Sequence, residues 1–226
     1  MADFDLVADG VSKTYGDLVA LHPTDLSVPA GQRVALIGHN GSGKSTFLKL
    51  AAGLLDPTDG AVEVSGSAAG SLDARAATSY VPDDPVLYDD LSVREHMTYI
   101  SSLHGVAPEP EDIDGLLERL GLAQRADDLP VRFSRGLRQK ASLALAFIRP
   151  FDVLLVDEPF VGLDAPGKEA LLTQLETVHE AGQTILVATH DPSFVERVDR
   201  CVALRDGEVI HDGPATVADV LRLVGA

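Results

Sequence analysis

Gly38-His39-Asn40-Gly41-Ser42-Gly43-Lys44-Ser45-Thr46 is a run of glycines closed by a lysine and two hydroxyls, the pattern G-x-x-x-x-G-K-[ST]. Its chemistry is phosphate binding. Gly38, Gly41 and Gly43 let the backbone turn sharply and bring its N–H groups against phosphate oxygens. A helix starting near Gly43 points its positive end at the same place. Lys44 is placed to reach the β- and γ-phosphates of a nucleoside triphosphate, and Ser45 to coordinate Mg²⁺. More than a hundred residues later, the apolar run Phe151-Asp152-Val153-Leu154-Leu155-Val156 ends on Asp157-Glu158. A carboxylate on a rigid strand end, Asp157, suits the Mg²⁺ shell, and the next, Glu158, can polarise an attacking water. His190 ends the following strand, at the sheet edge where open α/β folds bind ligands. It is either a γ-phosphate contact or a satisfied loop histidine. Tyr15 is either an adenine-stacking ring or an ordinary strand-end aromatic.

The elements that must position these residues follow from periodicity and turn signals. Residues 3–9 and 18–28 read as strands around the loop 12–17, and Val34-Ala35-Leu36-Ile37 as the strand feeding the phosphate turn. The helix after that turn stops near Gly53, a turn follows at 57–60, and 61–65 and 78–81 are short strands. From about 92 the pattern becomes helical, with a Ser92 cap, Glu95 at the capping-box position and a break at Pro108–Pro110 before a second helix to Gly121. A helix to about 148, the 151–156 strand, a helix over 165–181 and a strand over 183–188 follow. The chain closes with a short helix, a hairpin (201–205 and 208–212) and a C-terminal helix. The fold class is α/β: a P-loop NTPase core with a mostly parallel sheet and an N-terminal antiparallel part. Residues 1–226 make one domain, with a mostly helical insertion over about 84–148.

Composition narrows the partners. Apolar content of 45% is ample for a core, and no stretch has the ~18 uninterrupted apolar residues of a membrane span. The acidic N-terminus lacks the features of a signal peptide, and a cytoplasmic location is expected. A formal charge of −17 argues against a nucleic-acid partner, which must neutralise phosphates. The single cysteine, Cys201, lies in an apolar run and reads as a buried structural thiol.

Taken together, these motifs resemble, over nearly the whole chain and in order, the nucleotide-binding subunit of ATP-binding-cassette (ABC) transporters. The resemblance carries Tyr15 to the adenine-stacking aromatic, Gly38–Thr46 to the P-loop, and Ser134-Arg135-Gly136-Leu137-Arg138 to the family's signature. It also carries Val153–Glu158 to the Mg²⁺ strand with its catalytic glutamate, Gly162-Leu163-Asp164 to the dimer-facing loop, and His190 to the switch histidine. It implies an ATPase using ATP and Mg²⁺, in which two cassettes, as a homodimer or a heterodimer, close head to tail. Each nucleotide would lie between one P-loop and the other chain's Ser134–Gly136, with Asp164 facing the same interface. It further implies a membrane-spanning permease partner, engaged through the insertion (residues 84–105 among others), and a peripheral position on the cytoplasmic face of the membrane.

Two positions depart from the family's commonest pattern. Arg135 and Leu137 replace a glycine and a glutamine of the signature, a variant similar to one found with many exporters. Arg135 either adds positive charge beside the sandwiched nucleotide or is a solvated arginine. Asp83 stands after Tyr80-Val81-Pro82 where the family has glutamine. Its carboxylate is expected to keep a metal contact at shorter reach. The rival readings are a soluble ABC ATPase without a transporter, disfavoured by the single cassette and the acidity, and a degenerate regulatory cassette with weak hydrolysis.

Overall fold

The computed structural model describes residues 4–224. In chain order these form β1 (Phe4–Tyr15), β2 (Leu18–Pro29), β3 (Arg33–Ile37), α1 (Lys44–Ala51), β4 (Asp59–Val64), β5 (Ser67–Ala68), α2 (Leu72–Ala77), β6 (Thr78–Val81), α3 (Val93–Leu103), α4 (Pro110–Arg119), α5 (Arg135–Phe147), β7 (Val153–Asp157), α6 (Ala165–Glu180), β8 (Thr184–Thr189), β9 (Arg200–Arg205), β10 (Glu208–Gly213) and α7 (Val217–Val224). They divide into two compact units: residues up to Tyr80 with Phe151–Glu158 and everything from His179 onward, and Val81–Pro150 with Pro159–Val178.

The first unit holds both sheets. A four-stranded antiparallel sheet runs β2-β1-β4-β5, and a six-stranded sheet runs β10-β9-β3-β8-β7-β6. In the larger sheet β3 pairs parallel with β8 and β9, and β7 parallel with β8. Every residue of β7 and β8 is buried, which is why both read as continuous apolar runs rather than alternating ones. The inner faces of both sheets meet α1 in one core, with Leu6, Leu21, Leu36, Phe47, Leu155 and Leu186 at its centre. β1 runs further than its alternation suggests. Its pairing with β2 continues to Tyr15↔Leu18 through register shifts, and these bulges hide the period-2 signal. The expected 12–17 loop therefore shrinks to the Gly16–Asp17 turn.

The second unit is helical. α3 begins with the expected capping box: Ser92 Oγ accepts from the Glu95 N–H and Glu95 Oε2 accepts from the Ser92 N–H. One turn on, the buried His96 ring donates from Nδ1 to the Ser92 carbonyl (2.8 Å) and accepts the Tyr88 N–H at Nε2 (2.8 Å). Those two bonds fix its tautomer and pin the segment ahead of α3. Met97, Leu117, Leu120, Leu122 and Leu143 fill this unit's interior. No helix among the described residues is long and apolar enough to cross a membrane.

Candidate functional site

Three neighbouring strands deliver the reactive groups. Ile37 of β3 pairs with Thr189 of β8, and Asp157 of β7 pairs with Ala188. The glycine turn leaves the sheet one residue after Ile37, His190 follows Thr189, and Glu158 follows Asp157. Because β8 lies between β3 and β7, His190 emerges between the other two groups. This gathers residues 38–46, 157–158 and 190 at one carboxyl edge of the sheet, as their spacing predicts.

The glycine turn is tightly specified. A Cβ at Gly38 would collide with Ser42 Oγ and the Leu204 carbonyl. Gly41 and Gly43 take φ of 84° and 104°, where a side chain is strained. Gly43 is the N-cap of α1 and offers no side-chain cap, so the helix's leading N–H groups are left to an outside acceptor. Ser42 Oγ is buried without a hydrogen-bond partner. This uncapped, positive helix start and orphaned hydroxyl, beside a backbone that glycines alone can follow, fit a polyphosphate. Gly207, in the β9–β10 turn, donates its N–H to the Ser42 carbonyl (3.1 Å) and accepts the His22 N–H (2.9 Å), bracing the loop from behind. In the sequence Asp206-Gly207 reads only as a hairpin turn, so this support is invisible there.

Lys44 is 5% exposed. Its Nζ donates to the carbonyls of Gly38 (2.7 Å) and His39 (3.1 Å) and lies 3.5 Å from Glu158 Oε1. The other Glu158 oxygen, Oε2, accepts from His190 Nδ1 (2.9 Å) and from the His190 backbone N–H (3.3 Å). Glu158 thus stands between the ammonium and the imidazole: His190 fixes Oε2 by two hydrogen bonds, while Oε1 is buried near Lys44 without a hydrogen-bond partner. Its backbone sits at φ 46°, a left-handed conformation costing a non-glycine residue of order 1 kcal/mol or more. The adjacent Asp157 is 2% exposed and Ser45 is half-buried. These two supply oxygen ligands of the kind Mg²⁺ takes, and the described residues hold no cluster of three or more His, Cys, Asp or Glu side chains that would make a metal site by itself. A cleft of about 370 Å³ opens beside Gly38, His39, Asn40 and His190, walled by Leu221 and Val224 of α7. Tyr15, at the end of β1, is 50% exposed, and Lys13 Nζ lies 5.2 Å from its ring centroid.

Within the helical unit, Ser134 caps α5, accepting the Leu137 N–H at its Oγ (3.3 Å), and stays exposed. Gly136 is required by close packing, since a Cβ there would strike the Gly162 carbonyl. The Asp164 carboxylate pairs with Lys140 (3.2 Å) and accepts the Gly167 N–H (3.0 Å); together these hold it below the usual carboxylate range. Asp83 meets Arg135 (Oδ1 to Nη2, 2.9 Å), a pairing across 52 residues that no local signal announces.

This fold and edge define a P-loop nucleotide-hydrolysing cassette. A family model described as ABC transporter matches residues 21–161. The SkfA peptide export ATP-binding protein SkfE of Bacillus subtilis is 33% identical over 207 residues, covering 89% of this chain and 86% of that one. A solved structure of the ATP binding subunit of an ABC transporter superposes with a TM-score of 0.86 at 32% identity, covering 98% and 95% of the two chains. The dimeric structure of MJ0796, a bacterial ABC transporter cassette, gives 0.84 at 26% identity, covering 92% and 98%. The chain belongs to the ABC transporter family. Within it, this is an ATP-binding and ATP-hydrolysing subunit that energises transport.

Proposed function

We propose that ATP binds with its phosphates in the Gly38–Thr46 turn and its base on Tyr15, and that Glu158 is the general base. Lys44 would move from the Gly38 and His39 carbonyls to the β- and γ-phosphates. Ser45 and Asp157 would hold Mg²⁺, which neutralises phosphate charge when bound. Glu158 would take the proton of the attacking water, and His190 would keep that carboxylate aimed while contacting the γ-phosphate. The observation that carries this reading is the buried Glu158 carboxylate, held at Oε2 by His190 and with Oε1 left without a hydrogen-bond partner. Two copies would close head to tail, as a homodimer or with a similar chain. Ser134 and Gly136 of one copy would then lie against the nucleotide of the other, with Asp164 at the same interface. The dimeric cassette with the same fold supports this assembly. A membrane-spanning permease would receive the closure on the cytoplasmic face, and the signature variant and the peptide-export relative favour export.

The test is steady-state ATPase activity and ATP-dependent dimerisation of the parent and Glu158→Gln chains, with capture of the tagged parent from detergent-solubilised membranes. Hydrolysis lost in the variant, an ATP-stabilised dimer and a stoichiometric polytopic partner are expected. Equal hydrolysis by both chains would remove Glu158 from catalysis, and recovery only with ribosomes or DNA would overturn the transport role.

A further inference from the structure

Arg135 and Arg138 lie nearly one turn apart at the start of α5, and both reach the segment 82–85. Arg135 Nη2 donates to Asp83 Oδ1 (2.9 Å), and Arg138 Nη2 donates to the Pro85 carbonyl (3.0 Å). The two arginines, Asp84 and Pro85 wall a cavity of about 420 Å³. The Arg135 and Asp83 side chains are 57% and 47% exposed, so as a stabilising contact this ion pair counts for little. Its consequence is positional. Arg135 directly follows the Ser134 cap, where the start of α5 favours an anion, and the anion now beside it is the chain's own Asp83 carboxylate.

We propose that Asp83 is a positioning residue that acts through Arg135: an internal counter-ion the arginine must release before it can engage the nucleotide carried by the other cassette. This rests on the head-to-tail reading above and adds a charge exchange to it. One guanidinium cannot keep full contact with Asp83 and also move onto a phosphate, so the carboxylate competes with dimer closure. Arg138, bonded to a backbone carbonyl rather than to a charge, keeps the segment attached while Arg135 changes partner. A direct metal role for Asp83 predicts something different, because its effects would not depend on Arg135.

The experiment is a double-substitution cycle in the Glu158→Gln background. Dimer dissociation constants are measured by sedimentation equilibrium with Mg²⁺ and ATP, at low and high salt, for the background chain, Asp83→Asn, Arg135→Gln and the pair. Asp83→Asn is expected to tighten the dimer about three- to tenfold at low salt, and less at high salt, where screening weakens the competition. It is expected to change nothing once Arg135 is gone. In the nucleotide-free chain, the Arg135 Nη–H NMR signals are expected to exchange faster in Asp83→Asn, because Nη2 is the donor to Asp83. A looser dimer, a raised Mg²⁺ requirement, or an Asp83→Asn effect that persists without Arg135 would overturn the proposal. If the background chain itself stays monomeric with ATP, the head-to-tail reading fails and this inference with it; if it dimerises and the cycle is additive, this inference alone fails.

Discussion

The Glu158 carboxylate is 2.9 Å from His190 Nδ1 while its own backbone is held at φ 46°. A buried carboxylate in an unfavourable conformation, fixed by an imidazole just past the end of the adjacent strand, has been oriented at a conformational cost. Glu158→Gln keeps the shape and removes the basicity. Its turnover is expected to fall by a factor of about 10²–10⁴, as for loss of a general base, with ATP affinity kept within a few-fold. His190→Ala is expected to lower kcat more than it raises KM, because it frees the direction of a carboxylate that is still present. Single-turnover hydrolysis and nucleotide titration separate the two effects.

The glycines of the phosphate turn are not equivalent. Gly38→Ala drives a methyl into Ser42 Oγ and the Leu204 carbonyl, whereas at Gly41 a Cβ meets nothing within 4 Å and suffers only its φ of 84°. Gly38→Ala is expected to cost about 1–3 kcal/mol of stability and to abolish ATP binding. Gly41→Ala is expected to cost about 1 kcal/mol and to retain weaker binding. Urea unfolding with and without nucleotide measures both.

Asp199 ties the segment before β9 to the start of β3. Burial pushes its carboxyl up, but hydrogen bonds from the Arg33 guanidinium and backbone N–H outweigh that and hold it below the ordinary range. A folded pKa depressed in this way contributes stability above the unfolded pKa of about 3.9, and that contribution is lost as pH falls through the folded value. Asp199→Asn is therefore expected to be less stable than the parent by about 1 kcal/mol at neutral pH, a figure discounted for the pair's partial exposure. The gap should close as pH drops below about 4, and urea titrations across that range give it directly.

Cys201 is fully buried in β9, and burial pushes its thiol up to about 11. In the native chain it is expected to resist thiol reagents at neutral pH and to react at the rate of unfolding. Rapid stoichiometric labelling of folded protein would contradict this.

The sequence announces elements better than contacts. The phosphate turn, its strand and its helix are legible because three glycines and a lysine sit between an apolar run and a helical period, and α1 ends at Ala51, close to its Gly53 stop signal. The α3 capping box is equally plain. α2 is not, because Leu72–Ala77 is short and mostly exposed, and only the Ser71 side chain accepting the Ala74 N–H marks its start. Within the site, the strand-end residues are foreseen by type and place. Long-range contacts are not: in the first unit Lys44 meets Glu158, and in the helical unit Asp83 meets Arg135, only because each unit's fold brings distant segments together.

The Lys44 ammonium has two carbonyls and a carboxylate of its own chain around it. On the reading proposed above, nucleotide binding at this residue would be a trade of acceptors, and its contribution to affinity a difference between two well-bonded arrangements. These contacts also make Lys44 part of the fold itself. Lys44→Ala would take its donor from the Gly38 carbonyl and remove the countercharge of a buried glutamate, confounding lost binding with local rearrangement. On the proposed role of Tyr15 as the base platform, Tyr15→Ala is the control expected to weaken ATP binding while leaving these Lys44 contacts untouched, since its ring is 50% exposed.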